Sequence, residues 1–192
     1  GSPTRRNDID YITIASEGDG VDFGNLTESI GFMGGASSST RGLRMGGTTP
    51  SKVNTIDYVE MATLGDALDF GDITEAVSAC GGLSSPTRGF RIGGSTPTFT
   101  STIDVVTIAS KGNAIKFGDM TTQRDNARSN VQSQTRGIIA SGRPSPGNGF
   151  SLIEFITMAS EGDATAFGDL TRAHSSAAGA SNQVRGIFYG GG

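Results

Sequence analysis

One nineteen-residue phrase occurs four times in this chain, and its spacing constrains the fold more than any other feature. It stands at Ile56–Thr74 as IDYVEMATLGDALDFGDIT. It recurs from Ile9 (IDYITIASEGDGVDFGNLT), Ile103 (IDVVTIASKGNAIKFGDMT) and Ile153 (IEFITMASEGDATAFGDLT). Consecutive copies begin 47, 47 and 50 residues apart. Self-similarity at such a period marks a propeller or another repeat array, in which each unit buries its apolar face against its neighbours.

Each unit opens with residues that alternate as a strand does, such as Ile9-Asp10-Tyr11-Ile12-Thr13-Ile14, rich in β-branched and aromatic side chains. A turn of small residues follows (ASEGD, ATLGD, ASKGN, ASEGD), with Gly beside Asp or Asn as turn chemistry asks. A second strand ends at Phe-Gly-(Asp/Asn)-x-Thr, so the two make a hairpin. The other half of the unit passes through a small-residue strand, as in Ser29–Ser39 or Ala76–Ser85, to an Arg-Gly step. A last strand then ends at Gly-Gly, before a loop of Thr, Ser and Pro. No segment longer than a turn has helical periodicity, so the chain reads as all-β with four strands per unit.

Composition sharpens this. Thirty glycines in 192 residues would suggest low complexity, but here they fall at fixed places in each unit. A net charge of -4 and a pI near 4.9 give no basic footprint, so no nucleic-acid partner is expected. No apolar run reaches the length of a membrane span, so no membrane insertion is expected, and the first residues lack the profile of a signal peptide. Cys80 is the one cysteine, which excludes an internal disulfide; in its small-residue strand it reads as a buried small hydrophobe.

The order of parts resembles the kelch-type propeller repeat. Its Gly-Gly pairs match Gly46-Gly47, Gly93-Gly94 and Gly190-Gly191, while the third copy reads Ala140-Ser141-Gly142. Phe23, Phe70, Phe117 and Phe167 stand where kelch repeats usually carry Trp. In wording the chain is more similar to the arrays of TIAS-x-GNA-x-DFGDLT and TRG-x-x-x-GG units in marine, particularly cyanophage, virion-associated proteins, and that likeness covers nearly its whole length. The resemblance implies a virion or extracellular-surface location and a binding or structural role toward a glycan or a protein. It assigns no residue a reaction.

The expected architecture is one domain over 1–192, a four-bladed β-propeller with four-stranded blades at 27–72, 74–119 and 121–169. The fourth blade is expected from two half-blades, 171–192 supplying the inner pair and 8–25 the outer pair, which closes the ring in a monomer and leaves no edge unpaired. Two chains joining into a larger ring, or a stretch of a longer array, are the alternatives.

The Arg-Gly arginines (Arg41, Arg88, Arg136, Arg185) and the Asp or Asn ends of the Phe-Gly strands (Asn25, Asp72, Asp119, Asp169) recur in every unit. Repetition argues for scaffolding, guanidinium donors tying strands together, over a ring of ion sites. Asp19, Asp66, Asn113 and Asp163 supply too few oxygens per turn for calcium and read as turn residues, so no metal or other cofactor is expected. His174 is the only histidine, so a catalytic triad would have to be built on it, and no spacing predicts one. The asymmetry lies in the third and fourth inner strands, where Arg124, Asp125, Asn126, Arg128 and His174 replace small or apolar residues. They are the candidate ligand-binding set of a non-enzymatic module, with the long loop Arg143–Ser151 beside them. A hydrolase or lyase at the channel mouth, or a pure spacer in a larger assembly, are the competing readings.

Overall fold

Alternating β-branched strands separated by Gly-Asx turns give a chain built wholly of antiparallel strands in the computed structural model, which describes residues 4–145 and 147–192. The first three residues of the expected domain, and Pro146 of the 143–151 loop, lie outside the described residues. An N-terminal hairpin pairs β1 (Arg6–Tyr11) with β2 (Val21–Ile30). Sheet I contains β3 (Gly34–Ser37), β4 (Arg41–Met45), β5 (Val53–Glu60) and β6 (Leu68–Val77), in that order. Sheet II repeats the plan with β7 (Gly81–Ser84), β8 (Arg88–Ser95), β9 (Phe99–Thr107) and β10 (Ile115–Asp119). Then come β11 (Arg124–Asp125), β12 (Val131–Gln132), β13 (Arg136–Ile139), β14 (Arg143–Pro144), β15 (Phe150–Thr157) and β16 (Thr165–His174). Of these, β12-β13-β15-β16 form sheet III, while β11 and β14 pair by themselves. A C-terminal hairpin of β17 (Ala178–Ser181) and β18 (Gly186–Tyr189) ends the chain.

All four copies of the repeated phrase share one register. The isoleucine lies opposite the glycine of Phe-Gly: Ile9↔Gly24, Ile56↔Gly71, Ile103↔Gly118 and Ile153↔Gly168. The register slips beside that pair each time, leaving the phenylalanine as the extra, bulged residue. A bulge bends its strand and re-aims the backbone. Here it carries the Phe-Gly backbone onto the turn of the next hairpin. Gly71 at φ +147° comes so close that a Cβ would lie 2.5 Å from the Gly112 carbonyl oxygen.

The contact is a repeated three-bond latch. Gly65 N donates to Phe23 O (2.9 Å), Ala67 N to Asn25 O (2.7 Å), and Asn25 N to the Asp66 Oδ1 (2.9 Å). Gly112, Ala114 and Asn113 make the same bonds to Phe70 and Asp72, and Gly162, Ala164 and Asp163 make them to Phe117 and Asp119. The turn acids are thus cross-repeat acceptors, a role beyond local turn chemistry.

At the inner strands the sheets converge. A Cβ on Gly82 would sit 1.9 Å from Gly35 O, and side chains bond across to backbone: Ser37 N to Ser84 Oγ (2.8 Å), Ser84 N to Gln132 Oε1 (2.9 Å), Gln132 N to Ser181 Oγ (3.2 Å). Sheets close at one edge and latched at the other make a propeller-like fan. Apolar clusters fill the wedges. Leu43, Met45, Tyr58 and Phe70 pack with Val106 and Ile108 between sheets I and II. Leu83, Phe90 and Phe117 pack with Ile156 and Met158 between sheets II and III.

Two features differ from expectation. The hairpins β1–β2 and β17–β18 are separate two-stranded sheets, and among the described residues no ladder joins β18 to β1. And residues 124–128 do not form the third inner strand. That strand is β12, while Arg124–Asp125 cross to Arg143–Pro144. In the first two copies the matching tail runs on as strand, through Ile30 and Val77. An arginine in place of Ile30 and Val77 turns the third tail toward different partners.

Candidate functional site

The charged groups nearest the core belong to a motif that the Arg-Gly pattern concealed. Three residues beyond Arg41 and Arg88 stand Arg44 and Arg91, both buried, each paired with the acid of the Ile-Asp strand. Arg44 bridges Asp57, and Arg91 Nη2 lies 2.5 Å from Asp104 with Nε at 3.0 Å. Threonines of the preceding repeat bind the same acids, Thr27 Oγ1 to Asp57 at 2.8 Å and Thr74 Oγ1 to Asp104 at 2.7 Å. Buried carboxylates are tolerable because each is paired and hydrogen-bonded.

The third copy reaches the same end by transposition. Ile139 takes the place of Arg91, and the cation comes from Arg124 in the preceding tail, 2.5 Å from Glu154 with both side chains fully buried. Arg124 lies against the Phe150 ring, 4.5 Å from its centroid. Burial pulls its pKa down, and the Glu154 carboxylate opposes that shift. Arg124 therefore has no face for a ligand and belongs to the scaffold, which divides the set expected from the sequence.

Of the rest of that set, Asp125 is buried and held by Arg143 through two bonds of 3.1 and 2.7 Å. That contact raises the Arg143 pKa. His174 is half-buried at the end of β16, and its carbonyl accepts Gly142 N at 3.0 Å. Asn126 and Arg128 do reach the surface region. Asn126 adopts φ +53°, as Phe32 (+60°) and Ala79 (+55°) do at the matching positions. These three residues form a stair across the repeats, Ala79 N bonding Phe32 O (2.7 Å) and Asn126 N bonding Ala79 O (2.8 Å).

The stair brings Arg128 of the third repeat over the Phe32 ring of the first, 5.7 Å from its centroid. Phe32 is 51% exposed, and Met33 beside it is exposed as well. An exposed aromatic held by strained backbone under a guanidinium offers a stacking face and planar donors. Arg128 and Asn126 stand out in the sequence by their polarity, and Phe32 does not. Phe32 replaces Ala79 and Asn126 at its position of the unit, and that break in the pattern was the available signal.

The repeat arginines differ in their neighbours. Arg41 bonds Glu60 (2.8 Å) and the carbonyls of Ile108 (3.0 Å) and Ala109 (2.9 Å), and Arg88 bonds Met158 O at 3.2 Å. Arg136 lies over the Phe155 ring, and Arg185 is exposed. Phe23, Phe70 and Phe117 are buried, and Phe167 is exposed. Cys80 is fully buried, and that burial pushes its thiol pKa up. No protein-family model matches this sequence, and no curated protein does.

Proposed function

We propose that this chain is a non-enzymatic binding and structural module of a virion-associated or other extracellular-surface protein. It is read as a four-bladed propeller unit whose fourth blade combines 171–192 with 8–25, and it engages a glycan or protein partner through the Phe32–Arg128 face. The observation that carries this reading is that face. Two side chains from different repeats meet in the open, on a strained backbone stair that the fold maintains at a cost of order 1–3 kcal/mol per residue. Strain of this kind persists where the surrounding structure imposes it, and it clusters at ligand sites. The setting rests on the resemblance of the repeats to cyanophage virion arrays.

A panel of immobilised glycans tests the reading, with Phe32→Ala and Arg128→Ser beside the unaltered chain and melting temperature as the control. Retention by the unaltered chain, lost in both variants at unchanged melting temperature, supports it. Equal retention in all three moves the site elsewhere, and no retention by the unaltered chain removes the glycan.

A further inference from the structure

The seam that holds neighbouring repeats together is present three times inside the molecule and once as two unjoined halves. At the C-terminal end, Phe167 and Asp169 match the latch acceptors and donor Phe117 and Asp119. At the N-terminal end, Gly18, Asp19 and Gly20 match Gly162, Asp163 and Ala164. A Cβ at Gly168 would meet nothing within 4 Å, where one at Gly118 would lie 2.2 Å from the Gly162 carbonyl oxygen. Ile14 is 95% exposed; of its counterparts Met61 is 54% exposed, while Ile108 and Met158, each packed in a cluster with the preceding sheet, are 1% exposed.

Each end also has a groove of similar size. One of about 430 Å³ runs between sheet III and the C-terminal hairpin and is lined by Ile138, Ile153, Phe167 and Val184 among others. One of about 420 Å³, whose lining includes Ile9, Leu26, Gly42 and Val59, lies where an inner pair of strands would cover sheet I.

The charges select the occupant. Within a unit, the acid of the Ile-Asp strand takes its cation either from its own sheet (Arg44, Arg91) or, where that position is apolar (Ile139), from the preceding tail (Arg124). In the C-terminal hairpin that position is Phe188, and the preceding tail carries Arg172 and His174 in place of Glu28 and Ile30. The C-terminal hairpin thus has the cation Arg172 in its preceding tail and, among the described residues, no Ile-Asp strand paired with it. Asp10 on β1 is the acid at that position, exposed and unpaired with any described lysine or arginine.

We infer that the C-terminal end receives the N-terminal hairpin of a second copy of this chain, β18 of one pairing with β1 of the next; this rests on the reading that 171–192 and 8–25 are halves of one blade. The chain's own hairpin is held on sheet I by the latch at Asn25 and by Thr27 on Asp57. The seam at Gly35–Gly82 is close-packed, and among the described residues no ladder joins β1 to β18 within one chain. Unpaired edges template pairing with another chain. The interior pairs Leu43↔Tyr58 and Phe90↔Val105 set the register, which places Ile187 opposite Tyr11 and Phe188 opposite Asp10. Such a head-to-tail contact makes a ring if its rotation closes and a filament if it does not.

Cross-linking tests this. Tyr11→Cys and Ile187→Cys are made in separate full-length chains, each also carrying Cys80→Ala, then mixed and mildly oxidised. Both positions are exposed, so the fold of each chain is little disturbed. A two-chain product from the mixture, absent from either chain alone, is the expected result; its absence overturns the inference. A chain carrying both cysteines separates the two readings. Multi-chain products again support the second copy. An internal disulfide at single-chain mass keeps the split blade and overturns the second copy. No disulfide in either experiment overturns both.

Discussion

Phe117 and Phe167 occupy the same position of the repeat, bulge the same way, and meet an aromatic partner edge-on at 5.2 and 6.2 Å. Phe117 is 3% exposed and Phe167 56%. Their partners lie on different strands, Phe90 on β8 and Phe155 on β15. The neighbour differs as well: Met158 and Ala164 of the next hairpin join the cluster around Phe117, while Phe167 belongs to neither buried cluster. In an array of this kind burial is a property of the seam. The local sequence supplies only one face of it.

The contrast is sharpest in stability. Phe117→Ala should cost about 3–5 kcal/mol as a large-to-small core change, while Phe167→Ala stays within about 0.5 kcal/mol in dilute solution. Urea unfolding of both variants checks this, and equal costs would show that Phe167 is covered. Arg91→Ala should also cost about 3–5 kcal/mol, because it leaves Asp104 buried and unpaired. The same unfolding curves apply, with Arg41→Ala as the half-exposed comparison expected to lose about 1–3 kcal/mol.

Glycine variants sharpen the comparison at the backbone. Gly71 and Gly168 share positive φ (+147° and +155°), so alanine strains both alike. Only Gly71 has a carbonyl in the way, and Gly71→Ala should be the worse by about 1–3 kcal/mol in melting experiments.

The smallest effect concerns Cys80. Its folded pKa is raised above the ordinary 9.0 by burial, so above that pH the unfolded chain loses a proton that the native state keeps. Stability attributable to this group is intact below pH 9 and falls as pH rises beyond it. Cys80→Ala should flatten that alkaline decline in a pH series of unfolding midpoints.

The period, the hairpins and the four-strand plan were legible because each rests on local chemistry: alternation, Gly-Asx turns, Gly-Gly ends. The small-residue character of Gly34–Ala36 and Gly81–Gly82 matches the close approach of β3 to β7. The buried pairs of Arg44 and Arg91 were not legible, since an arginine on a strand gives no sign of which face it takes. Arg124 showed as a break in an apolar position and suggested a ligand residue. Its role became visible only with the matching loss of arginine at Ile139, a pairing that spans two repeats. Asp66, Asn113 and Asp163 looked like turn residues because their acceptors act on backbone some 40 residues away.

The central claim is that the two ends are unfilled halves of the interior seam, completed by a second copy. Amide hydrogen exchange measured over a range of chain concentrations tests it most directly. The interior latch amides Gly65, Gly112 and Gly162 should be protected at every concentration. Gly18, Gly20 and Asp169 should exchange fast in dilute solution and gain protection as concentration rises. Protection at those three that is already complete in the dilute monomer, or that never develops, contradicts the account.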